Sequence, residues 1–495
     1  MKFATETSLV KLRATCQSLD TECRRLRKEL KDAKAEIARL REDQTVSAEQ
    51  LERAKDREFG PSTERRPPAD APPADAPERD PQKGHGPRSQ PGLKERDVTY
   101  ELPADERTCP CCGTERQPMG EAVEESKLVT VTVRAFERQI VKRRKYTCAC
   151  PNVITVAPGP VRLQKGGLYS LTFAVEVAVA KYAHALPLER QAQIMRHEGL
   201  LIDAQTLWDQ LDKLADLLAP TRDAIKAAIL ACPMIHCDET RWPFLDGGKL
   251  KENKTWQAWG LVSPELVAFS ILDSRSKEAA RTLLGTYNGI VMADAYTVYT
   301  SLAAEAKTFA VANCWAHARR KFVECEKNAP VEAAHAIAAI DALFAIERKA
   351  TPETLANLRD TESRQIVDDL FAWAKATQPA VLPRSGIGQA LAYLVNQEAG
   401  LRRFLDDPRI PLSNNAAERA LRGLVLGRKN FYGSRSRRGT EVAAIMYTLM
   451  ECAKLAGISP KAYVMAVATA ALQHPGAVLM PADFKKAQPP PAKAA

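Results

Sequence analysis

The sequence predicts a multidomain α/β protein. Three observations carry this: the length, a helical heptad confined to residues 5–58, and a switch from helical to strand periodicity at Pro233. A chain of 495 residues is too long for one hydrophobic core, so three or more units are expected. The balance of 71 basic against 61 acidic residues leaves +10, which suits a polyanionic partner without demanding one. Distribution says more than the sum. Leu401 to Arg438 holds ten Arg or Lys and three acids, Asp406, Asp407 and Glu418, a density expected where phosphates are contacted. No apolar run reaches the length of a membrane span. The nearest, Leu168 to Leu188, is broken by Glu176, Lys181 and His184. The start is charged and heptad-patterned, unlike a leader. Twelve cysteines in such a chain suggest thiols and metal, and an intracellular, cytoplasmic location is expected.

In residues 5–58, Leu9, Cys16, Cys23, Leu30 and Ile37 fall on one seam position, and Leu12, Leu19, Leu26, Ala33 and Leu40 on the other. Charged residues lie between, so a leucine-zipper-like coiled coil, and hence a homo-oligomer, is expected. Residues 59–97 are a linker, because the Pro67 to Pro77 repeat offers nothing for a core. Its end, Lys83 to Arg88, is basic and suits either a plain linker or entry into a groove. Residues 98–158 are expected to form a small zinc module. Cys109-Pro110-Cys111-Cys112 and Cys148-Ala149-Cys150 supply thiolates for tetrahedral Zn²⁺, with Cys111 an ambiguous candidate.

Residues 165–231 are helical. Pro187 opens one helix, Gly199 turns the chain, and Asp203 caps a second helix through Trp208 and Leu214. That outline fits either a DNA-binding helix-turn-helix or ordinary packing, and the second helix is acidic. Residues 232–327 read as strands Met234 to Leu245, Thr255 to Val262 and Leu266 to Leu272, a helix Lys277 to Leu284, and strands Gly289 to Ala293 and Phe309 to Ala312. A helix from Cys314 follows. Three antiparallel strands, a crossover helix and further strands resemble a ribonuclease-H-like catalytic sheet. Residues 328–412 carry helical spacing over too long a stretch for a loop and are expected to be a helical insertion. Residues 413–475 complete the catalytic fold with a basic segment, and 476–495 form a tail.

Three carboxylates stand in distinctive places. Asp238 lies on the first strand, Asp294 ends a short apolar strand, and Glu418 sits one turn into a helix capped by Ser413. Glu239 rivals Asp238, but neighbouring strand residues point to opposite faces, so only one joins a site. Acids converging from two strands and a helix suit a pair of Mg²⁺ ions, with Mn²⁺ able to substitute, acting on a phosphodiester.

The chain resembles the transposases of the insertion-sequence-66 family, of the DDE class. The likeness rests on His236-Cys237-Asp238-Glu239-Thr240, Asp294-Ala295-Tyr296, Asn313 to Phe322, Ser413-Asn414-Asn415-Ala416-Ala417-Glu418-Arg419 and Gly427-Arg428-Lys429-Asn430-Phe431. It implies a catalytic, Mg²⁺-binding triad of Asp238, Asp294 and Glu418, and Zn²⁺ ligands Cys109, Cys112, Cys148 and Cys150, with Cys111 an extra. It implies cleavage at transposon ends, strand transfer into target DNA, and help from two small proteins encoded by the same element. Cys314 and His317 match a Cys-x-x-His motif of DDE families, as either a packed pair or an auxiliary to a phosphate or carboxylate. Arg419, Arg422, Arg428, Lys429, Arg435, Arg437 and Arg438 are the expected phosphate contacts. Phe431 and Tyr432 suit either base stacking or core packing. Rival readings are a structure-specific nuclease of the same fold and a non-catalytic zinc-containing DNA-binding protein.

Overall fold

The computed structural model describes residues 2–59, 136–147, 154–156 and 160–487, except 161, 165, 247–248, 251–255 and 295. The expected linker, and Cys109, Cys111, Cys112, Cys148 and Cys150 of the expected zinc module, lie outside the described residues.

The first element is one helix, α1 (Lys2–Phe59). Leu19, Leu26, Leu30, Ile37 and Leu40 are each more than half exposed along it. Near its C-terminal end Val46 is buried. There Asp43 pairs with Arg384 at 2.6 Å, and Glu49 accepts a hydrogen bond from the Gly386 amide at 2.8 Å. A short antiparallel pair follows, β1 (Lys145–Thr147) and β2 (Ile154–Val156).

Three helices come next: α2 (Leu171–Tyr182), α3 (Leu188–His197) and α4 (Ala204–Leu230). Gly199 turns the chain at φ +88, and Asp203 caps α4 through the Thr206 amide at 2.7 Å. The middle of α4 is wholly buried at Leu207, Leu211, Leu214, Leu218 and Ile225. It packs against α2, α3 and two later helices.

The central sheet is built from β3 (Met234–Trp242), β6 (Trp256–Val262), β7 (Val267–Leu272), β8 (Ile290–Ala293) and β9 (Ala310–Asn313). Between β3 and β6 lies a two-residue ladder, β4 (Leu245–Asp246) with β5 (Lys249–Leu250). Strand order is β7-β6-β3-β8-β9. Strands β3, β6 and β7 pair with one another antiparallel, and β8 and β9 run parallel to β3. Helices α5 (Lys277–Leu284) and α6 (Thr297–Ala306) make the crossovers, and α7 (Trp315–Val323) follows β9.

Side chains alternate across this sheet, as the pleat requires. Ile235, Val291 and Val311 enter one core with α4, while Met234, Met292 and Ala312 enter a second. That second core is supplied by the expected insertion: α8 (Pro330–Lys349), α9 (Leu355–Leu358), a π-turn Arg359–Ser363, α10 (Arg364–Thr377), α11 (Gly386–Asn396) and α12 (Glu398–Arg402). The insertion therefore roofs one face of the sheet. Buried Arg359 closes it, donating to both Glu347 carboxylate oxygens and to the carbonyls of Phe404, Asp407 and Ile410. These contacts occupy all five guanidinium donors.

The chain returns through α13 (Asn415–Phe431), α14 (Arg437–Leu455), α15 (Pro460–Gln473) and α16 (Pro481–Ala487). A Cβ on Gly427 would meet the Tyr447 hydroxyl, so only glycine lets α13 come this close to α14. Helix α14 covers the outer strand β7. Thr448 Oγ1 accepts from the Phe269 amide at 2.9 Å, and Cys452 Sγ faces the Val267 amide at 3.3 Å. Edge amides that would otherwise pair with another chain are thereby satisfied. The expected tail is folded as far as Ala487: Phe484 packs on Tyr463, and the Leu479 amide donates to Thr221.

Candidate active site

Asp238 and Asp294 come together through strand register. In the parallel pair β3–β8, Met234 faces Ile290 and His236 faces Met292. Asp238 lies two residues beyond that register on β3 and Asp294 directly after β8, close enough for the Asp294 charge to act on Asp238. Opposite Asp238 on the other side stands Gly260, and Leu421 of α13 lies against the sheet there. Glu418 lies nearly one turn before Leu421 on that helix. Asp238, Asp294 and Glu418 thus stand on β3, directly after β8 and on α13, and the charges of the other two are felt at Asp238.

The electrostatics agree. Burial pushes the Asp238 carboxyl up to about 7, with Glu239, Asp294 and Glu418 adding repulsion against one opposing bond from the Glu239 amide. Among the described residues, no group of three or more His, Cys, Asp or Glu is gathered tightly enough to hold a metal ion alone.

Glu239 points away, as strand alternation demands. It is nearly inaccessible, gripped by Arg275 at 2.5 Å and by the Tyr299 hydroxyl at 3.1 Å. Arg275 also lies 3.9 Å over the Tyr296 ring, and the Tyr296 amide donates to Asp294 Oδ1 at 3.1 Å. Arg275 therefore ties the segment beside Asp238 to the segment after Asp294.

On the helical side the cap is Asn414, one residue later than expected, and it makes no side-chain bond to its own helix. Its fully buried side chain reaches across instead. Nδ2 donates to the Cys237 carbonyl at 2.8 Å, and Oδ1 lies 2.9 Å from His236 Nδ1. Because Nδ2 faces a carbonyl, Oδ1 must accept, so His236 carries its proton on Nδ1. The Asn414 amide donates to Cys314 Sγ at 3.2 Å. Asn414 is thus the joint between β3, α7 and α13.

His317 Nε2 sits 3.6 Å from Glu418 Oε1, a contact rather than a hydrogen bond. Burial lowers the His317 imidazole below its usual pKa against an opposing pull from Glu418. Cys314 is buried and serves as an acceptor for the joint, whereas His317 touches a carboxylate. The side chains of the motif's two members thus have different partners.

The expected phosphate contacts divide. Arg419, Arg422, Lys429 and Arg435 are exposed and have no ion-pair partner among the described residues. Arg428 donates to Thr240 Oγ1 at 2.9 Å. Arg437 faces Asp273 at 3.4 Å and lies over the Trp256 ring. Arg438 is held by Asp212 at 2.6 Å and by Asp216, which makes it a brace between α14 and the acidic side of α4. Phe431 is packed, with Lys181 Nζ 3.8 Å above its ring and Tyr182 at its edge.

Comparison with known proteins identifies the chain. A family model described as "Transposase IS66 family" matches residues 166–442. The chain belongs to the IS66 transposase family. All three acids, Asn414 and His317 fall inside the matched span of the transposase. Over 390 residues it is 32% identical to "Uncharacterized protein y4jD" of Sinorhizobium fredii (strain NBRC 101917 / NGR234), covering 75% of each chain. It is 31% identical over 428 residues to "Uncharacterized protein y4hP" of the same organism, covering 80% of this chain and 76% of the relative. Among the described residues no helix is long and apolar enough to cross a membrane.

Proposed function

We propose that this transposase is of the DDE type, cutting DNA at transposon ends and transferring strands with Asp238, Asp294 and Glu418 as its catalytic triad. The observation that carries this is the convergence of one acid on β3, a second directly after β8 and a third on α13. The strand order, with β6 and β7 in an antiparallel meander on one side of β3 and two parallel strands on the other, supports a ribonuclease-H-like reading of the sheet.

The donor set fits a hard divalent cation. It is all carboxylate, and the negative charge that raises Asp238 is what a cation would relieve. Mg²⁺ is usually bound by one or two carboxylates with waters and substrate phosphates completing its shell, so it needs no full protein cage. Bound there, Mg²⁺ would supply Lewis-acid stabilisation of the attacking and leaving oxygens. His317 orients Glu418, Asn414 fixes α13 against β3, and Arg275 restrains the two strand ends. Arg419, Arg422, Lys429 and Arg435 take backbone phosphates. DNA contact is assigned to α13 rather than to α4, whose surface carries Asp209, Asp212 and Asp216. The exposed seam of α1 meets a second copy of the chain as a coiled coil. The cysteine pairs hold Zn²⁺, and small proteins from the same element assist.

Incubation with Mg²⁺ and labelled DNA carrying the element's ends tests the reading. Joined products support strand transfer; cut but unjoined DNA would point to a nuclease of the same fold.

A further inference from the structure

We infer that Tyr432 is a stacking platform for an unpaired base of the DNA being processed. This deepens the proposed DNA transfer function and rests on it. The packed Phe431 beside it is unavailable for that role, whereas Tyr432 is 70% exposed. Its backbone lies in the left-handed region at φ +56. Glycine or asparagine holds such a helix-ending position with least strain, and strained residues of this kind gather at ligand-binding sites. A large exposed aromatic here gives no packing in return.

The platform is held firmly from below. The Tyr432 amide donates to the Arg428 carbonyl at 2.9 Å. Gly433 follows at φ +88, and a Cβ there would strike the Pro243 carbonyl. Ser434 then locks to β3 and the segment after it, donating to Pro243 O, accepting from the Leu245 amide, and receiving Trp242 Nε1 at 3.2 Å. The base of the ring is thus fixed while its faces stay open.

Its surroundings select the ligand. Lys429 and Arg435, both exposed and without an ion-pair partner among the described residues, stand on either side in sequence. Tyr432 comes fourteen residues after Glu418. That is about four turns, or about 21 Å along the axis from Glu418 to the residue that ends α13. Arg422 and Lys429, four and eleven residues after Glu418, fall between them on the Glu418 face of the helix. A strand laid on this row would bring a base about six nucleotides from the reacting phosphate to the ring, at about 3.4 Å per step. An aromatic ring flanked by cations is the chemistry that holds single-stranded nucleic acid.

The test uses the full chain and two DNA probes without Mg²⁺, so that nothing is cut. One is a fully paired duplex; the other is the same duplex with an unpaired tail carrying a fluorescent adenine analogue. Wild type and Tyr432→Phe should bind the tailed probe about ten- to a hundredfold more tightly than Tyr432→Asn. They should also quench the analogue, while all three bind the paired duplex equally. Tyr432→Asn should melt at the same temperature as wild type or higher, because asparagine tolerates the left-handed backbone. Equal binding of the tailed probe by wild type and Tyr432→Asn would overturn the platform alone, as would equal weakening on both probes. Failure of wild type to bind either probe would overturn the DNA-processing function beneath it.

Discussion

Asn414 binds the site together without belonging to its acids. Replacing it by alanine would leave the buried Cys237 carbonyl and His236 Nδ1 without their partner. We expect Asn414→Ala to cost about 1–3 kcal/mol of stability, read by denaturant unfolding. Cleavage should fall further than DNA affinity, because Glu418 loses its registration against Asp238. An unchanged turnover would contradict this positioning role. The three acids could be picked out from the sequence because each stands in a recognisable local setting. Asn414 could not, since its partners lie 177 and 178 residues away and local spacing carries no trace of them. A second residue ties pH to the basic face. Burial brings the Lys181 ammonium down to about 8, with Glu189 opposing and Arg435 adding to the shift. Between about pH 8 and about 10.4 the unfolded chain holds a proton that the folded chain has released. Stability contributed at this site therefore rises with pH through that window. Melting temperatures of wild type and Lys181→Met should show wild type gaining on the variant there, with a constant difference between pH 6 and 8.

Elements show where local rules suffice and where they stop. Helix α5 is found over the predicted residues, and Asp203 caps α4 as its position promised. Serine caps, apolar runs and turn glycines are local signals. The strand order β7-β6-β3-β8-β9 is set by pairings between distant segments, which no local signal reports. What spacing did not reveal is how charge is spent. Arg438 and Arg422 look alike in the sequence, yet one is bound into α4 and the other is exposed with no ion-pair partner among the described residues. Arg422→Ala should therefore lower the salt dependence of DNA binding by about 0.9 in slope with melting unchanged. Arg438→Ala should lower the melting temperature and leave that slope alone. Arg359 closes the insertion in a way no periodicity announces. Arg359→Met would strand Glu347 and three carbonyls, and a loss of about 3–5 kcal/mol is expected. Thermal unfolding together with proteolysis of the 328–412 segment would measure it.

At the scale of the whole molecule, one sheet separates two cores and carries the acids near the side roofed by the insertion. The insertion is thus packed into one body with the sheet, and α1 docks on it through Asp43 and Glu49. Pairing of two α1 seams would bring two such bodies together, as a reaction on two transposon ends requires. Everything in this account depends on the three acids acting as one site. The most direct test is cleavage and joining of labelled DNA bearing the element's ends, with Mg²⁺ and the element's companion proteins, comparing wild type with Asp294→Ala. Joined products are expected from wild type and none from the variant, with both binding the DNA. Equal cleavage by the two proteins, or binding by both with no cleavage by either, would contradict it.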